Sequence, residues 1–431
     1  MVKLKQILNN KIFKNAGWLV TGKVIQMVIN LVVGILTARY LGPNGYGLIS
    51  YAGAYISFFA VFCTLGINSV LVKELVDHPG QEGMVLGTSI GLRGVSSLLS
   101  AVAMIGISTI LDANDPLAQV VVALCSIGVL FNIFDVFNYW FQSKLESKKT
   151  AIASLIAYSV TAAYKIFLLA TGKSVQWFAL ATSVDYICIA IILFWYYKQG
   201  KGRRLSFSMS YGKRLLSSSC HFILPGLMVA IYGQTDKIML KHMLSEAEVG
   251  YYATATALCS MWTFILSAII DSLTPVIMQS HENDKDKCDR YNKLLYCIVF
   301  YLSALVSVAF ILGGKLAIKI LYGAAYLPAV APLMVVTWYT AFSYLGVARN
   351  AWVVCEKKQK YLKYIYISSA LVNVVLNFLL IPIWGTVGAA VASLMAQFFT
   401  VMVVPFFIKE MRRNSVMMLE AICFKGVLDR K

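Results

Sequence analysis

Long apolar runs, broken at intervals by short polar segments, organise this chain. The runs fall at 17–38, 46–69, 84–111, 117–141, 150–171 and 174–197 and, after a basic linker at 198–214, at 215–240, 249–279, 294–313, 329–352, 361–383 and 385–408. Each is near the roughly 20 residues that carry a helix across a hydrocarbon core, so the pattern predicts an all-α integral membrane protein with twelve transmembrane helices. Several breaks carry turn chemistry: Leu41-Gly42-Pro43-Asn44-Gly45, Asp112-Ala113-Asn114-Asp115-Pro116, and Trp384-Gly385 after Pro382.

The basic residues follow the same rhythm. Of the 38 Lys and Arg, 28 fall in alternate breaks and at the two ends, from Lys3 and Lys5 through Lys144, Lys148, Lys149, Lys201, Arg203 and Arg204 to Arg430 and Lys431. The intervening breaks hold only Arg39, Lys173, Lys237, Lys241, Lys315 and Lys319. Basic loops stay on the cytoplasmic side, so the bias predicts an even number of crossings with both termini cytoplasmic.

Composition agrees. The 431 residues are 59% hydrophobic and 13% charged, where a soluble domain carries roughly a quarter charged residues. Mean hydropathy is +0.72. The net charge of +18 is spread over loops flanking apolar spans, which reports topology and contact with anionic lipid headgroups; nucleic acid is not an expected partner. The segment Gly17–Ala38 is long enough to span and lacks a small-residue cleavage site, so it reads as a first helix and not as a cleaved signal. Nine cysteines without a CxxC and four dispersed histidines give no disulfide framework, metal site or cofactor expectation.

The two sets of six runs read as copies of one unit. Gly47 and Ala52 after the first run match Gly250 and Ala255 after the seventh; Trp140 before Lys148-Lys149 matches Trp352 before Lys357-Lys358; Ala179 and Ser183 match Ala389 and Ser393. An even number of crossings per copy keeps both in one orientation, related by a pseudo-two-fold axis along the membrane normal, with a cavity between them. The expected organisation is an N-terminal lobe at 1–213, a C-terminal lobe at 214–408 and a cytoplasmic tail at 409–431, the last either an amphipathic surface segment or disordered.

Ionisable groups inside hydrocarbon are costly, and each is a functional candidate. Arg93 lies about nine residues, roughly 13 Å, into the third span. Gly91 and Gly94 flank it and leave space beside it, so it either lines a cavity or pairs with Asp135 at similar depth on the fourth span. Lys23 shares a helical stripe with Gln26 and Asn30, a candidate wet face. Lys165 and Arg349 sit toward the ends of the fifth and tenth spans, where a cavity or an interfacial anchor both fit. The acids Asp135, Asp185, Asp236 and Asp271 are candidates for ion coupling or for neutralising these cations. Pro225-Gly226 in the seventh span and Pro275 in the eighth mark candidate hinges, since proline removes a helix hydrogen bond.

Some of these residues also carry a likeness. Asn15-Ala16-Gly17-Trp18-Leu19 and Ala38-Arg39-Tyr40-Leu41-Gly42-Pro43-Asn44-Gly45-Tyr46-Gly47 resemble the opening of bacterial polysaccharide transporters, the Wzx-type O-antigen flippases. Leu65-Gly66 with Lys73-Glu74, Asp236-Lys237-Ile238-Met239-Leu240 before Val249-Gly250-Tyr251-Tyr252, and Leu321-Tyr322-Gly323 with Tyr326 and Pro328 are similar to later blocks; Lys237 stands where that family often has Arg. The resemblance implies the two-lobe fold of the multidrug/oligosaccharidyl-lipid/polysaccharide exporter superfamily. It also implies a function: flipping an undecaprenyl-diphosphate-linked oligosaccharide, an O-antigen, capsule or exopolysaccharide repeat unit, across the bacterial inner membrane. Polysaccharide polymerase and chain-length machinery are the implied protein partners. Buried Arg or Lys is the natural complement of a diphosphate.

Two transport alternatives share the fold. Cation-coupled drug exporters usually place an acid in the first helix, where this chain has Lys23; lipid II flippases typically have fourteen helices, and 415–431 is too short and charged to add two. A membrane enzyme would need an outward loop to hold catalytic residues, and neither such a loop nor a nucleophile, paired-carboxylate or metal motif is apparent.

Overall fold

The computed structural model describes residues 11–200 and 202–425. Lys3, Lys5, Lys201, Arg430 and Lys431 lie outside them. Among the described residues the regular elements are all helical, the arrangement that satisfies backbone polar groups within one segment of chain in lipid. They are α1 (11–41), α2 (43–64), α3 (Asn68–Asp77), α4 (Glu82–Leu111), α5 (Pro116–Phe131) and α6 (Val136–Ser143). Next come α7 (Ser147–Ala170), α8 (Val175–Gln199), α9 (Met209–Ser219), α10 (Ile223–Met243), α11 (Glu246–Ser260) and α12 (Thr263–Asn283). The series ends with α13 (Lys285–Leu321), α14 (Val330–Cys355), α15 (362–384), α16 (386–398), α17 (Val404–Phe407) and α18 (Lys409–Ile422).

Among the described residues ten stretches are long and apolar enough to cross a membrane, and two of them are double. Thr21–Asp77 breaks at Gly42 (φ 68°, ψ 178°) and Gln359–Phe407 at Gly385 (φ 58°, ψ −134°), which makes twelve crossings. Positive φ at these two turns is cheap only for glycine, and Pro43 then opens α2 at a position where its missing N–H costs no helix bond. Other starts are capped by side chains: the Asp115 carboxylate accepts from the Ala118 N–H at 3.0 Å, and the Asp284 carboxylate from the N–H groups of Asp286 and Lys287 at 3.0 and 3.1 Å.

The boundaries depart from the sequence reading in several places. Crossing two runs on to Asp77 through a break at Leu65-Gly66, and crossing nine is the single 37-residue helix α13. Crossing four is interrupted by a 3-10 turn at Asn132–Asp135, crossing seven by one at Cys220–Phe222, and crossing eight at Met261-Trp262. Pro225 accordingly sits in the first turn of α10, where its ring is tolerated, while Pro275 lies within α12.

The chain divides into two compact units, one of Met1–Leu41 with Leu48–Leu227, the other of Gly42–Gly47 with Met228–Lys431. In the first unit Trp140, Phe137, Phe141, Tyr197 and Leu71 form an aromatic-rich core. Helices α5 and α8 approach closely through small residues: the Ser183 hydroxyl donates to the Leu124 carbonyl at 2.6 Å and accepts from the Gly128 N–H at 2.9 Å.

In the second unit Tyr296, Trp352, Leu345, Met411 and Met418 form the core. Helix α18 belongs to it. Met411, Met417, Met418 and Ala421 are buried, Asn414 donates to the Tyr296 hydroxyl at 2.7 Å, and Lys293 pairs with Glu420 at 2.6 Å. The tail up to Ile422 is thus a helix packed on α13 and neither a free surface segment nor disordered, because its Met stripe has a partner face to cover.

Gly47 and Gly250, matched as repeat equivalents, lie against each other in this unit. A Cβ at Gly47 would strike the Glu246 carbonyl and lie 2.8 Å from the Gly250 nitrogen; one at Gly250 would strike the Pro43 carbonyl. The contact is reciprocal, since each glycine meets the backbone four residues before the other. Backbone cannot yield as a side-chain tip can. Gly250→Val should therefore lower stability by about 1–3 kcal/mol through overpacking, read as a fall in thermal melting temperature of the detergent-purified protein. Gly53→Ala, with nothing within 4 Å of the added methyl, should melt like the parent.

Candidate functional site

In the first unit the polar interior centres on Arg93 of α4, which is 0% exposed. One terminal nitrogen donates to the Asn68 Oδ1 at 3.0 Å; the other donates to both the carbonyl and the Oδ1 of Asn132, at 2.7 and 2.6 Å. Asn68 opens α3, and Asn132 sits in the 3-10 turn that interrupts crossing four, so two helix irregularities aim acceptors at one guanidinium. The Nε of Arg93 has no protein partner. Asp135 acts on Arg93 through space, yet no ion pair closes within 4 Å; its carboxylate accepts only a long 3.4 Å bond from Asn138. The pairing with Asp135 offered by the sequence does not form as a contact. The space expected beside Gly91 is also filled: a Cβ there would lie 2.8 Å from the Phe207 ring.

Farther along the same unit, Lys165 and Asp185 are half-buried and interact electrostatically, with the Thr161 hydroxyl 3.5 Å from the carboxylate. Lys23 is exposed on α1 and is not brought to either group by any described bond.

In the second unit Arg349 of α14 is 1% exposed, donates to the Thr400 carbonyl at 3.1 Å, and also keeps its Nε without a partner. Tyr232, Tyr296 and Tyr366 surround it at electrostatic range. The densest polar cluster in this unit forms around Asp236 of α10, 3% exposed. Its carboxylate accepts from the Tyr252 and Ser393 hydroxyls, both at 2.5 Å, and from the side-chain amides of Asn377 and Asn373 at 2.7 and 3.3 Å. These donors are neutral. The neighbouring Lys237 points elsewhere, donating to Gln234 at 3.1 Å. The amide oxygens of Asn373 and Asn377 have no protein partner, leaving two acceptors orphaned beside a carboxylate. Asp271 is exposed and joins none of this.

The sequence singled out both arginines and Asp236 but not the groups that hold them. Asn373 and Asn377, one turn apart in an apolar helix, were legible as costly polar groups inside a span. Asn132 was not, because it lies at a helix break that no glycine or proline announces, and Asn68, though it follows the Leu65-Gly66 break, gives no local sign of the guanidinium it meets.

The fold and these interiors define a multi-pass membrane protein of twelve crossings with buried charge in its helices. The profile of the polysaccharide biosynthesis protein family matches residues 12–281, and the chain belongs to that family. It is 21% identical over 284 residues to the Lsg locus putative protein 1 of Haemophilus influenzae, across 64% of this chain and 68% of that protein. It is 23% identical over 278 residues to the succinoglycan biosynthesis transport protein ExoT of Rhizobium meliloti, across 63% of this chain but only 55% of that one. Its structure is similar to the lipid II flippase MurJ in an inward closed conformation, with TM-score 0.70 over 95% of this chain and 93% of that one. At 14% identity that likeness shows the fold alone.

Removing an acceptor from a buried guanidinium leaves charge unsatisfied. Asn132→Ala should thus cost about 1–3 kcal/mol, seen as a lowered melting temperature. Asn138→Ala, which removes only the long bond to Asp135, should change it little.

Proposed function

We propose that this protein is a flippase. It moves an undecaprenyl-diphosphate-linked oligosaccharide from the inner to the outer leaflet of the bacterial cytoplasmic membrane. Transport proceeds by alternating access between two six-span lobes, residues 1–213 and 214–408, with both termini cytoplasmic. The family match over residues 12–281 carries this reading; a succinoglycan transport relative and a lipid-flippase fold support it. It is a transport protein and not an enzyme, and its substrate and the lipid bilayer are its partners, with polymerase and chain-length proteins acting on the delivered unit.

The buried cations support the reading chemically. A diphosphate cannot cross bare hydrocarbon without compensation, and Arg93 and Arg349 are hydrogen-bonded by neutral acceptors, with no carboxylate in ion-pair contact with either. Lys165 and Lys23, less enclosed, are further cations proposed to meet the substrate. Asp236 is the acid best placed to couple an ion: its partners are neutral and the orphaned amide oxygens beside it suit a proton or a small monovalent cation. Asp185 and Asp135 face nearby cations and act as their counter-charges, whereas exposed Asp271 has no such setting. Pro225-Gly226 and Pro275 are the proposed hinges.

In a strain lacking the gene, the parent chain should restore surface polysaccharide, and Arg93→Ala should reduce it by at least about tenfold, the 1.4 kcal/mol of a single lost charge-assisted contact. Membrane levels of the variant are to be matched by immunoblot. Normal polymer from that variant would remove Arg93 from the mechanism. Orientation has its own test. With exposed Cys220 and Cys423 replaced by Ser, a cysteine placed at Lys148 should resist a membrane-impermeant thiol reagent in intact cells and react after permeabilisation.

A further inference from the structure

The segment 202–208 has no role in the transport path just described, yet it is held closely. It runs extended along α4 as a strap: the Tyr197 hydroxyl donates to the Arg203 carbonyl at 2.5 Å, the Ser206 N–H to the Gly83 carbonyl at 3.1 Å, and the Ser208 N–H to the Thr88 hydroxyl at 3.1 Å. Gly83, Gly87 and Gly91, one helical turn apart, make the groove it lies in. A Cβ at Gly83 would strike the Arg204 carbonyl, and one at Gly87 would lie 2.7 Å from the Ser206 nitrogen. A flexible linker needs no such bed.

The effect of this docking is to fix Arg203 and Arg204 at an open groove of about 560 Å³, lined also by Gly80, Gln81, Met84 and Ser206. Both arginines are exposed, and among the described residues neither side chain makes a hydrogen bond or an ion pair. The acid at the start of α4, Glu82, is in contact with Lys144 at 3.1 Å and with the Trp140 indole at 2.8 Å, and reaches Arg203 only through space. Beside the cations the strap and the first residue of α9 expose apolar side chains: Leu205 is 40%, Phe207 54% and Met209 62% exposed. Two guanidinia without a hydrogen bond or ion pair, in a concave site bordered by apolar side chains at the end of a membrane helix, match a phosphate carried on a hydrocarbon chain.

We infer that this groove binds the phosphate of a membrane lipid, with Arg203 and Arg204 on the phosphate oxygens and the lipid chain along Leu205, Phe207 and Met209. Binding here is separate from transport and is measured without it.

The test is native mass spectrometry of the full chain released from detergent, with phosphatidylglycerol and undecaprenyl diphosphate as probes and phosphatidylcholine as the zwitterionic reference. Arg203→Ala/Arg204→Ala should lower occupancy by either phosphate-bearing probe about tenfold or more, as loss of two charge-assisted contacts requires. Arg203→Lys/Arg204→Lys, which keeps the charge and guards against a folding defect, should retain a substantial part. Lys409→Ala/Arg412→Ala, in the other unit, should bind like the parent. A preference for undecaprenyl diphosphate would make the groove a dock for the carrier lipid, and equal binding a general phospholipid site; either supports the inference. Unchanged occupancy in the double alanine variant, or equal loss in the Lys409/Arg412 variant, overturns it.

Discussion

A guanidinium taken out of water must be repaid in hydrogen bonds or lose its place, and that requirement governs the interior of this protein. Moving such an ion into a low-dielectric core carries an effective penalty of several kcal/mol even after relaxation. Arg93 and Arg349 are nevertheless almost completely enclosed, at 0% and 1% exposure. A structural solution would place a carboxylate on each. Instead Arg93 is given two asparagines and a carbonyl, and Arg349 a carbonyl and nearby tyrosines. Neutral acceptors satisfy donors without closing an ion pair, and Asp135 offsets Arg93 only through space, so part of the cation's field persists around the site. That arrangement is poor for stability and well suited to attracting an anion.

The helix irregularities follow from the same requirement. Asn132 can offer both its carbonyl and its side-chain oxygen to one guanidinium because the 3-10 turn at Asn132–Asp135 tightens the backbone there. The opening of α3 at Asn68 does similar work from crossing two. Elsewhere, close helix approach relies on residues without bulk: Gly128 under Ser183, Gly47 against Gly250, and the glycine stripe of α4 beneath the strap. Lipid tails supply no hydrophobic drive for helix association, so contact area gained by small residues matters more here than in a soluble core.

What could be read from the chain, and what could not, divides along range. Positive charge in alternate breaks and the Gly42-Pro43 and Trp384-Gly385 turns are local signals, and the crossings they mark are present. Arg93 and Asp236 stood out because a charge within an apolar run is conspicuous in one dimension. Their partners are distant in sequence: Asn377 reaches Asp236 across 141 residues, and Ser208 reaches Thr88 across 120. Gly91 read as open space for the same reason, since nothing local announces that Phe207 covers it, whereas Gly94 does have room beside it. Breaks at Cys220–Phe222 and Met261-Trp262 carry no proline, glycine or charge, so periodicity ran straight through them. The Met-rich tail had a readable apolar stripe, but the face it covers lies on α13, and one-dimensional pattern does not choose between a protein and a membrane partner.

The internal repeat separates scaffold from chemistry. Gly47 and Gly250 keep the same role, each admitting the other's helix. Ser183 and Ser393 occupy matched positions but do different work. Ser183 spends its hydroxyl on the backbone of α5, a packing bond, whereas Ser393 donates to the buried Asp236 carboxylate. The arginines are not equivalents at all: Arg93 lies on crossing three and Arg349 on crossing ten, which corresponds to crossing four. A duplicated fold with unduplicated charges gives the two halves different electrostatics on similar frames. Each half encloses one arginine among neutral acceptors, and the second adds an acid among neutral donors, so similar helical bundles carry different charge.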